Sequence, residues 1–357
     1  MRPVIKGIAP ATYPPRTTYT FIGENATAIA KLLGRADANN VPIGVCQNLV
    51  LAAVKGENPP NGGTPAEFDR AVKAIRSNIA DDYKTASVPL MTMLGAFCSY
   101  CESPLTGLLE VEHRASKSLY PTYSTAWPNF LLACSPCNNA KGNNPARAVV
   151  QGWFNPPNPA APESDYYDAI SAHYDWPDLN QPTFEDMPLV LEQETSADNW
   201  QALPMITAAN LNNSVVSVDY TTRIVRAQLA GQLNPLPVRV MVTAANGSRS
   251  NQSGAMIDLY KPNQTGNAAS TYDRRMINRT LAWFTCLNAM KIVAQMPEGQ
   301  QGTAFKVIEL LGVASGFYSV WLTILRYDAE QNYRAFIQDT NAPLLYAGTN
   351  VARLPVE

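Results

Sequence analysis

The sequence predicts an α+β protein in three parts: a helical N-terminal region over residues 1–94, a small cysteine-bracketed core over 95–150, and a mixed α/β C-terminal accessory region over 151–357, a candidate substrate- or partner-binding domain. Three observations predict it. Apolar residues recur at helical spacing between residues 24 and 81. Two Cys-x-x-Cys pairs, Cys98/Cys101 and Cys134/Cys137, flank a run with strand-like alternation. Beyond residue 189, short runs rich in branched side chains precede a long amphipathic stretch.

In chain order, Glu24–Leu33 places Ala26, Ile29, Ala30 and Leu33 on one helical face, and Ile43–Val54 reads as a second, more buried helix. Thr64-Pro65-Ala66-Glu67 supplies an N-cap, a proline at the first helical position and an acid in the first turn, opening a helix over Pro65–Asp81. Val88–Leu94 leads into the first cysteine pair. In the core, Leu108–His113 is the first expected strand, Asn129–Cys134 the second, and Pro136–Val150 the helix. Trp153–Pro162 contains six Pro or Asn residues and marks a linker. Strands are expected at Leu189–Glu194, Val215–Tyr220, Ile224–Leu229 and Val238–Val242, loops over Asn246–Gly266, and helices over Tyr272–Met296 and Ala304–Tyr327. Leu310–Leu325 lacks charge but falls short of the ~20 residues of a membrane span, so a buried helix is expected.

Composition narrows the class. The chain has 357 residues, 46% hydrophobic and only 16% charged, with 28 prolines. It can bury a core, and it reads as globular and loop-rich, neither disordered nor coiled-coil. Six cysteines do not suggest a disulfide scaffold; Cys46 and Cys286 are expected as buried free thiols. No apolar run follows Met1–Gly7, so a cytoplasmic protein is expected. The net charge of −2 does not advertise a nucleic-acid binder, but its distribution is uneven. Residues 148–222 hold eleven acids and no Lys or Arg, whereas 223–291 hold nine Lys/Arg and two acids. Chance segregation over solvated faces explains this blandly. The sharper expectation is that Arg274, Arg275 and Arg279 contact phosphate.

Cys98, Cys101, Cys134 and Cys137 have the spacing of a closed, tetrahedral structural Zn²⁺ site built from two knuckles. Redox chemistry is the rival, but it calls for one pair at a strand-to-helix turn.

Between and beyond the pairs stand Glu112-His113, then Asn129, then Asn138 in Cys-Asn-Asn-Ala-Lys-Gly. In this order the residues resemble the HNH nuclease family. The last His of the family name is Asn here, so the chain resembles an HNN variant. The resemblance covers roughly one-eighth of the chain, below usual domain size. It implies a ββα-metal fold and phosphodiester hydrolysis. His113 would be the general base, since an imidazole of ordinary pKa ~6.5 is mostly neutral in cells. Glu112 and Asn138 would hold Mg²⁺ or Mn²⁺ through hard oxygens. Asn129 would orient the loop carrying His113. Lys141 and Arg114 would touch phosphate. Plainer roles stand beside these: a solvated Glu112, a packed His113, Asn129 as a turn residue, Asn138 as a helix cap, and Lys141 as a helix-surface charge.

Arg2-Pro3, Lys6-Gly7, Trp176-Pro177-Asp178-Leu179-Asn180 and Asp273–Arg279 further resemble a bacterial HNH group that includes retron-associated nucleases and the HNH subunit of Septu-type anti-phage systems. This implies a defence effector held by a partner ATPase or sensor protein. The chain has no GxxxxGK[ST] loop, so such an ATPase would be a separate protein. DNA is the expected substrate, with RNA left open. The rival class is a zinc-stapled module that binds nucleic acid or protein without cutting.

Overall fold

The computed structural model describes residues 82–105, 107, 109–113, 127–142, 187–205, 216–244, 246, 250–264 and 273–327. The helices expected at Glu24–Leu33, Ile43–Val54 and Pro65–Asp81, the linker at Trp153–Pro162, and Cys46 lie outside them.

The first packed unit is small. After a 3-10 turn at Asp82–Ala86, α1 (Ser87–Leu94) buries Leu90 and Leu94, four residues apart and therefore on one face. It stops at Gly95, whose φ of 72° other residues avoid. The chain doubles back through the first cysteine pair and enters β1 (Glu110–His113). A 3-10 turn at Trp127–Asn129 leads to β2 (Phe130–Ala133), which pairs antiparallel with β1 and sets Glu112 opposite Leu131 and His113 opposite Phe130. Then comes α2 (Ser135–Lys141), with Cys134 at its N-cap position and ended by Gly142. Strand, strand and helix thus follow in the expected order. Asn129 falls in the turn rather than in β2.

The second unit is a five-stranded antiparallel sheet. Its strands are β3 (Leu189–Ser196), β4 (Asn199–Ala202), β5 (Val216–Asp219), β6 (Ile224–Ala227) and β7 (Leu236–Val242), in spatial order β4-β3-β7-β6-β5. The β5–β6 turn is fixed by Asp219, whose Oδ1 accepts the N–H groups of Thr221 and Thr222 at 2.8 and 3.2 Å. One face is covered by α4 (Arg275–Ala294), with α6 (Tyr318–Tyr327) reaching β3, and α5 (Glu298–Ser315) packs on α4 and α6. Leu191, Val225, Val238 and Val240 meet Ile277, Trp283, Phe284 and Leu287 there. Burial of Trp283 and Phe284, each worth ~1.5–3 kcal/mol or more, makes α4 the spine of this unit. The Thr280 hydroxyl on α4 accepts the Val240 N–H at 2.9 Å, and Asn263 serves both backbone groups of Val242. Side chains thereby complete the end of β7 that β6 does not reach.

The structure departs from the expected elements in three places. A helix, α3 (Ser250–Tyr260), replaces the loop expected over 246–266. Its Gly, Asn and Ser content misled; burial of Met256, Leu259 and Tyr260 at helical spacing holds it. The strand β4 had no expectation. The single helix at Ala304–Tyr327 is two, broken where Gly316 and Phe317 both take positive φ. Consequently the uncharged 310–325 stretch is not uniformly buried: Leu310 is 62% exposed, while Val320 to Leu325 are buried. Among the described residues no helix is long and apolar enough to cross a membrane.

The two units share a core. Met187, Val242, Met256, Leu259 and Tyr260 join Leu90, Leu94, Phe130 and Leu132 in one apolar cluster, and Tyr260 stacks on Tyr100 with ring centroids 3.8 Å apart.

Candidate active site and metal centre

The four cysteines converge because two tight local structures present them. In the first knuckle, Cys98 N–H bonds Ser103 O, Glu102 N–H bonds Cys98 O, and Leu105 N–H bonds Ala96 O. Glu102 turns the chain at φ 69°. In the second, Cys134 stands at the N-cap position of α2 and Cys137 lies in its first turn, where the helix dipole favours negative charge. Ser99 N–H to Leu132 O, 2.8 Å, ties one knuckle to the strand that leads into the other.

The four Sγ atoms lie within 4.8 Å of one another, and Cys101 and Cys134 approach to 3.5 Å. A tetrahedral ion with Zn–S bonds of about 2.3 Å would set sulfur–sulfur edges of about 3.8 Å, so the cluster fits such an ion. Electrostatics agree. Burial pushes the Cys137 thiol up, and bonding to Cys101 pushes Cys134 up. Burial also opposes ionisation of Cys101, but hydrogen bonds from Cys134, Cys137, Cys98 and Ser103 hold its thiol down. Were all four ionised, sulfurs this close would need a cation to share their charge.

The HNH-like residues sit on β1 and α2. Glu110 and Glu112, two apart on a strand, share one face; Asn138 and Lys141, three apart on a helix, share another. The two faces meet. Asn138 Nδ2 donates to Glu110 Oε2, and Lys141 Nζ lies 2.6 Å from Glu112 Oε1. Lys141 also donates to the His113 carbonyl at 2.7 Å. Burial raises the Glu112 carboxyl above the ordinary range, against the pull of the Lys141 charge. Two carboxylates and a carboxamide thus stand together, with the Asn138 amide nitrogen turned to Glu110 and the Glu112 carboxylate paired with Lys141. Asn138 does not cap the helix; the N-cap position is Cys134, which makes no side-chain capping bond.

His113 leaves β1 on the face opposite Glu112. Its ring stands edge-on to Tyr83 and Phe130, with centroids at 4.6 and 5.1 Å, and the residue is 6% exposed. Asn129 is buried immediately before Phe130, the cross-strand neighbour of His113.

The expected phosphate contacts fare differently. Lys141 is 2% exposed and committed to Glu112 and His113, which corrects the surface role. Arg275 and Arg279 are also interior, at 3% and 4% exposure. Arg275 bonds Asp273, Tyr260 O, Lys261 O and Cys137 Sγ, and Arg279 Nη2 donates to Pro262 O at 2.6 Å. Burial pulls the Arg279 guanidinium down to about 10. Neither head reaches solvent, so the expectation of phosphate contact fails for both. Arg274 is exposed, 5.1 Å over the Tyr220 ring. Arg114 lies outside the described residues.

Sequence reasoning missed Glu110, although its alternation with Glu112 signalled a shared face. It missed Tyr83, which no pattern singles out. It assigned Arg275 to the wrong partner.

A family model described as HNH endonuclease matches residues 98–144, the segment that carries both cysteine pairs, β1, β2 and α2. The class so defined is a chain containing an HNH nuclease domain with a four-cysteine cluster that could hold a metal ion. Neither the comparison with curated proteins nor that with solved structures gave a match.

Proposed function

We propose that this protein is a metal-dependent endonuclease of the HNN type that hydrolyses phosphodiester bonds in DNA, with the four cysteines holding a structural Zn²⁺. The observation that carries this reading is the junction of β1 and α2. There Glu110 and Glu112 meet Asn138 and Lys141, Lys141 also holds the His113 backbone carbonyl, and the same helix carries Cys137, while the His113 ring leaves β1 on the other face.

In this reading Glu112 and Asn138 would hold Mg²⁺ or Mn²⁺, and such an ion would neutralise charge at the phosphoryl and leaving oxygens. His113 takes the proton of the attacking water at a ring nitrogen. Tyr83 and Phe130 fix the plane of that ring, and Lys141 fixes the peptide that follows His113 through the His113 carbonyl. Asn129, beside Phe130, orients the chain around His113. Arg274, exposed on Tyr220, remains the candidate phosphate contact among the described arginines of α4 and its cap. The biological setting we propose is a defence effector working with a separate ATPase or sensor, a reading supported by the sequence resemblance alone.

The test is cleavage of plasmid, linear DNA and RNA with Mg²⁺, with Mn²⁺ and with EDTA, beside His113→Ala. Metal-dependent nicking that His113→Ala abolishes is expected. A second reading, a binding module that does not cut, is favoured by the deep burial of His113 and by the Glu112–Lys141 pair. Binding without cleavage under every metal condition would establish it instead.

A further inference from the structure

We infer that Arg275, from the C-terminal unit, is an outer-sphere partner of the four-cysteine metal centre: its guanidinium donates to Cys137 Sγ and couples metal retention to the docking of α4. This rests on the reading of the cluster as a metal site.

All five N–H donors of Arg275 are engaged. Nε and Nη2 grip the Asp273 carboxylate at 2.9 and 2.7 Å. Nη1 donates to Tyr260 O at 2.6 Å and to Cys137 Sγ at 3.2 Å, and Nη2 also donates to Lys261 O at 3.0 Å. Asp273 therefore fixes the guanidinium plane, and the two carbonyls at the end of α3 fix its position. What remains of the fork is aimed at sulfur. Arg275 and Cys137 are far apart in sequence, so the contact exists only because α4 packs against the knuckles. Tyr260 adds a second tie by stacking on Tyr100 of the first knuckle.

A thiolate bound to a cation accepts a charge-assisted hydrogen bond that a neutral thiol accepts far more weakly. Loading the centre thus strengthens the Arg275–Cys137 contact. By linkage, the contact strengthens loading. Outer-sphere partners of this kind commonly change metal affinity by about 10–100-fold.

The test uses the full chain, loaded with zinc or with Co²⁺ as a chromophoric probe. Metal content of the wild-type protein is measured first; a metal-free wild type, even after reconstitution, would sink the metal-centre reading and this inference with it. Arg275→Met should then release zinc to a chelator about tenfold faster or more, and the thiolate-to-cobalt charge-transfer band should move. Arg275→Lys, which keeps the charge but not the planar fork, should fall between. A folded Arg275→Met with wild-type release and an unmoved band overturns the inference while leaving the metal centre standing. If Arg275→Met does not fold, hydrogen exchange of the wild type decides. Chelation should speed exchange in the first turns of α4 before it affects β3 and β7. Unchanged exchange there on metal removal also overturns the inference.

Discussion

Lys141 Nζ lies 2.6 Å from Glu112 Oε1, and both side chains are almost wholly buried. A buried ion pair contributes little over an apolar pair of the same shape, but removing one partner strands the other charge. Lys141→Met should therefore lower stability by about 3–5 kcal/mol in urea denaturation. The double variant Glu112→Gln with Lys141→Met should recover much of that loss. A phosphate contact would behave otherwise, leaving stability unchanged and flattening the salt dependence of DNA binding.

The proposed role of His113 as general base is tested separately from the fold. His113→Ala removes the proton acceptor while leaving the Lys141 bond to the backbone carbonyl possible. Cleavage should fall by about 10²–10⁴-fold, the usual scale for general base catalysis. Metal content and circular dichroism should stay at wild-type values. Cleavage at the wild-type rate would remove His113 from the mechanism.

The cysteines should behave in the opposite way. Cys98→Ser or Cys137→Ser deletes a buried thiol from a cluster whose members lie within 4.8 Å. Metal binding at such sites is itself folding free energy. Each variant should emerge with sub-stoichiometric zinc by elemental analysis and with a lost or broadened unfolding transition. Arg274→Glu, on an exposed side chain, should leave both unchanged and weaken only DNA binding.

Local signals made much of this molecule legible. The cysteine spacing led to the cluster, and the branched runs led to β3, β5, β6 and β7, because these features act over a few residues. Alternation through Glu110, Val111 and Glu112 led to β1. What failed depends on distant partners. Arg274, Arg275 and Arg279 look alike as a basic cluster, yet α4 turns Arg275 and Arg279 inward because Asp273, the carbonyls of Tyr260, Lys261 and Pro262, and Cys137 await them. Lys141 reads as a surface helix charge until β1 is laid over α2. α3 has poor helical composition and is held by burial against the nuclease core. The break after Ser315 was equally hidden, since its cause is Glu102, more than two hundred residues earlier.

That break gives the last prediction. Gly316 takes φ +67°, and a Cβ there would stand 2.6 Å from Glu102 O and 2.7 Å from Pro104 Cδ. The close approach lets Phe317 N–H reach Glu102 O at 2.9 Å, while the Glu102 carboxylate accepts from the Ser319 N–H and hydroxyl at the start of α6. The first cysteine knuckle thus caps a C-terminal helix. Gly316→Ala meets both a left-handed backbone and a backbone clash, so it should cost at least about 2 kcal/mol. At Gly302, inside α5, a Cβ would meet nothing within 4 Å beyond its own stretch of helix. Gly302→Ala should instead stabilise by about 0.5–1 kcal/mol. Opposite shifts of the urea midpoint in the two variants are expected; a neutral Gly316→Ala would mean that α6 does not seat on the knuckle.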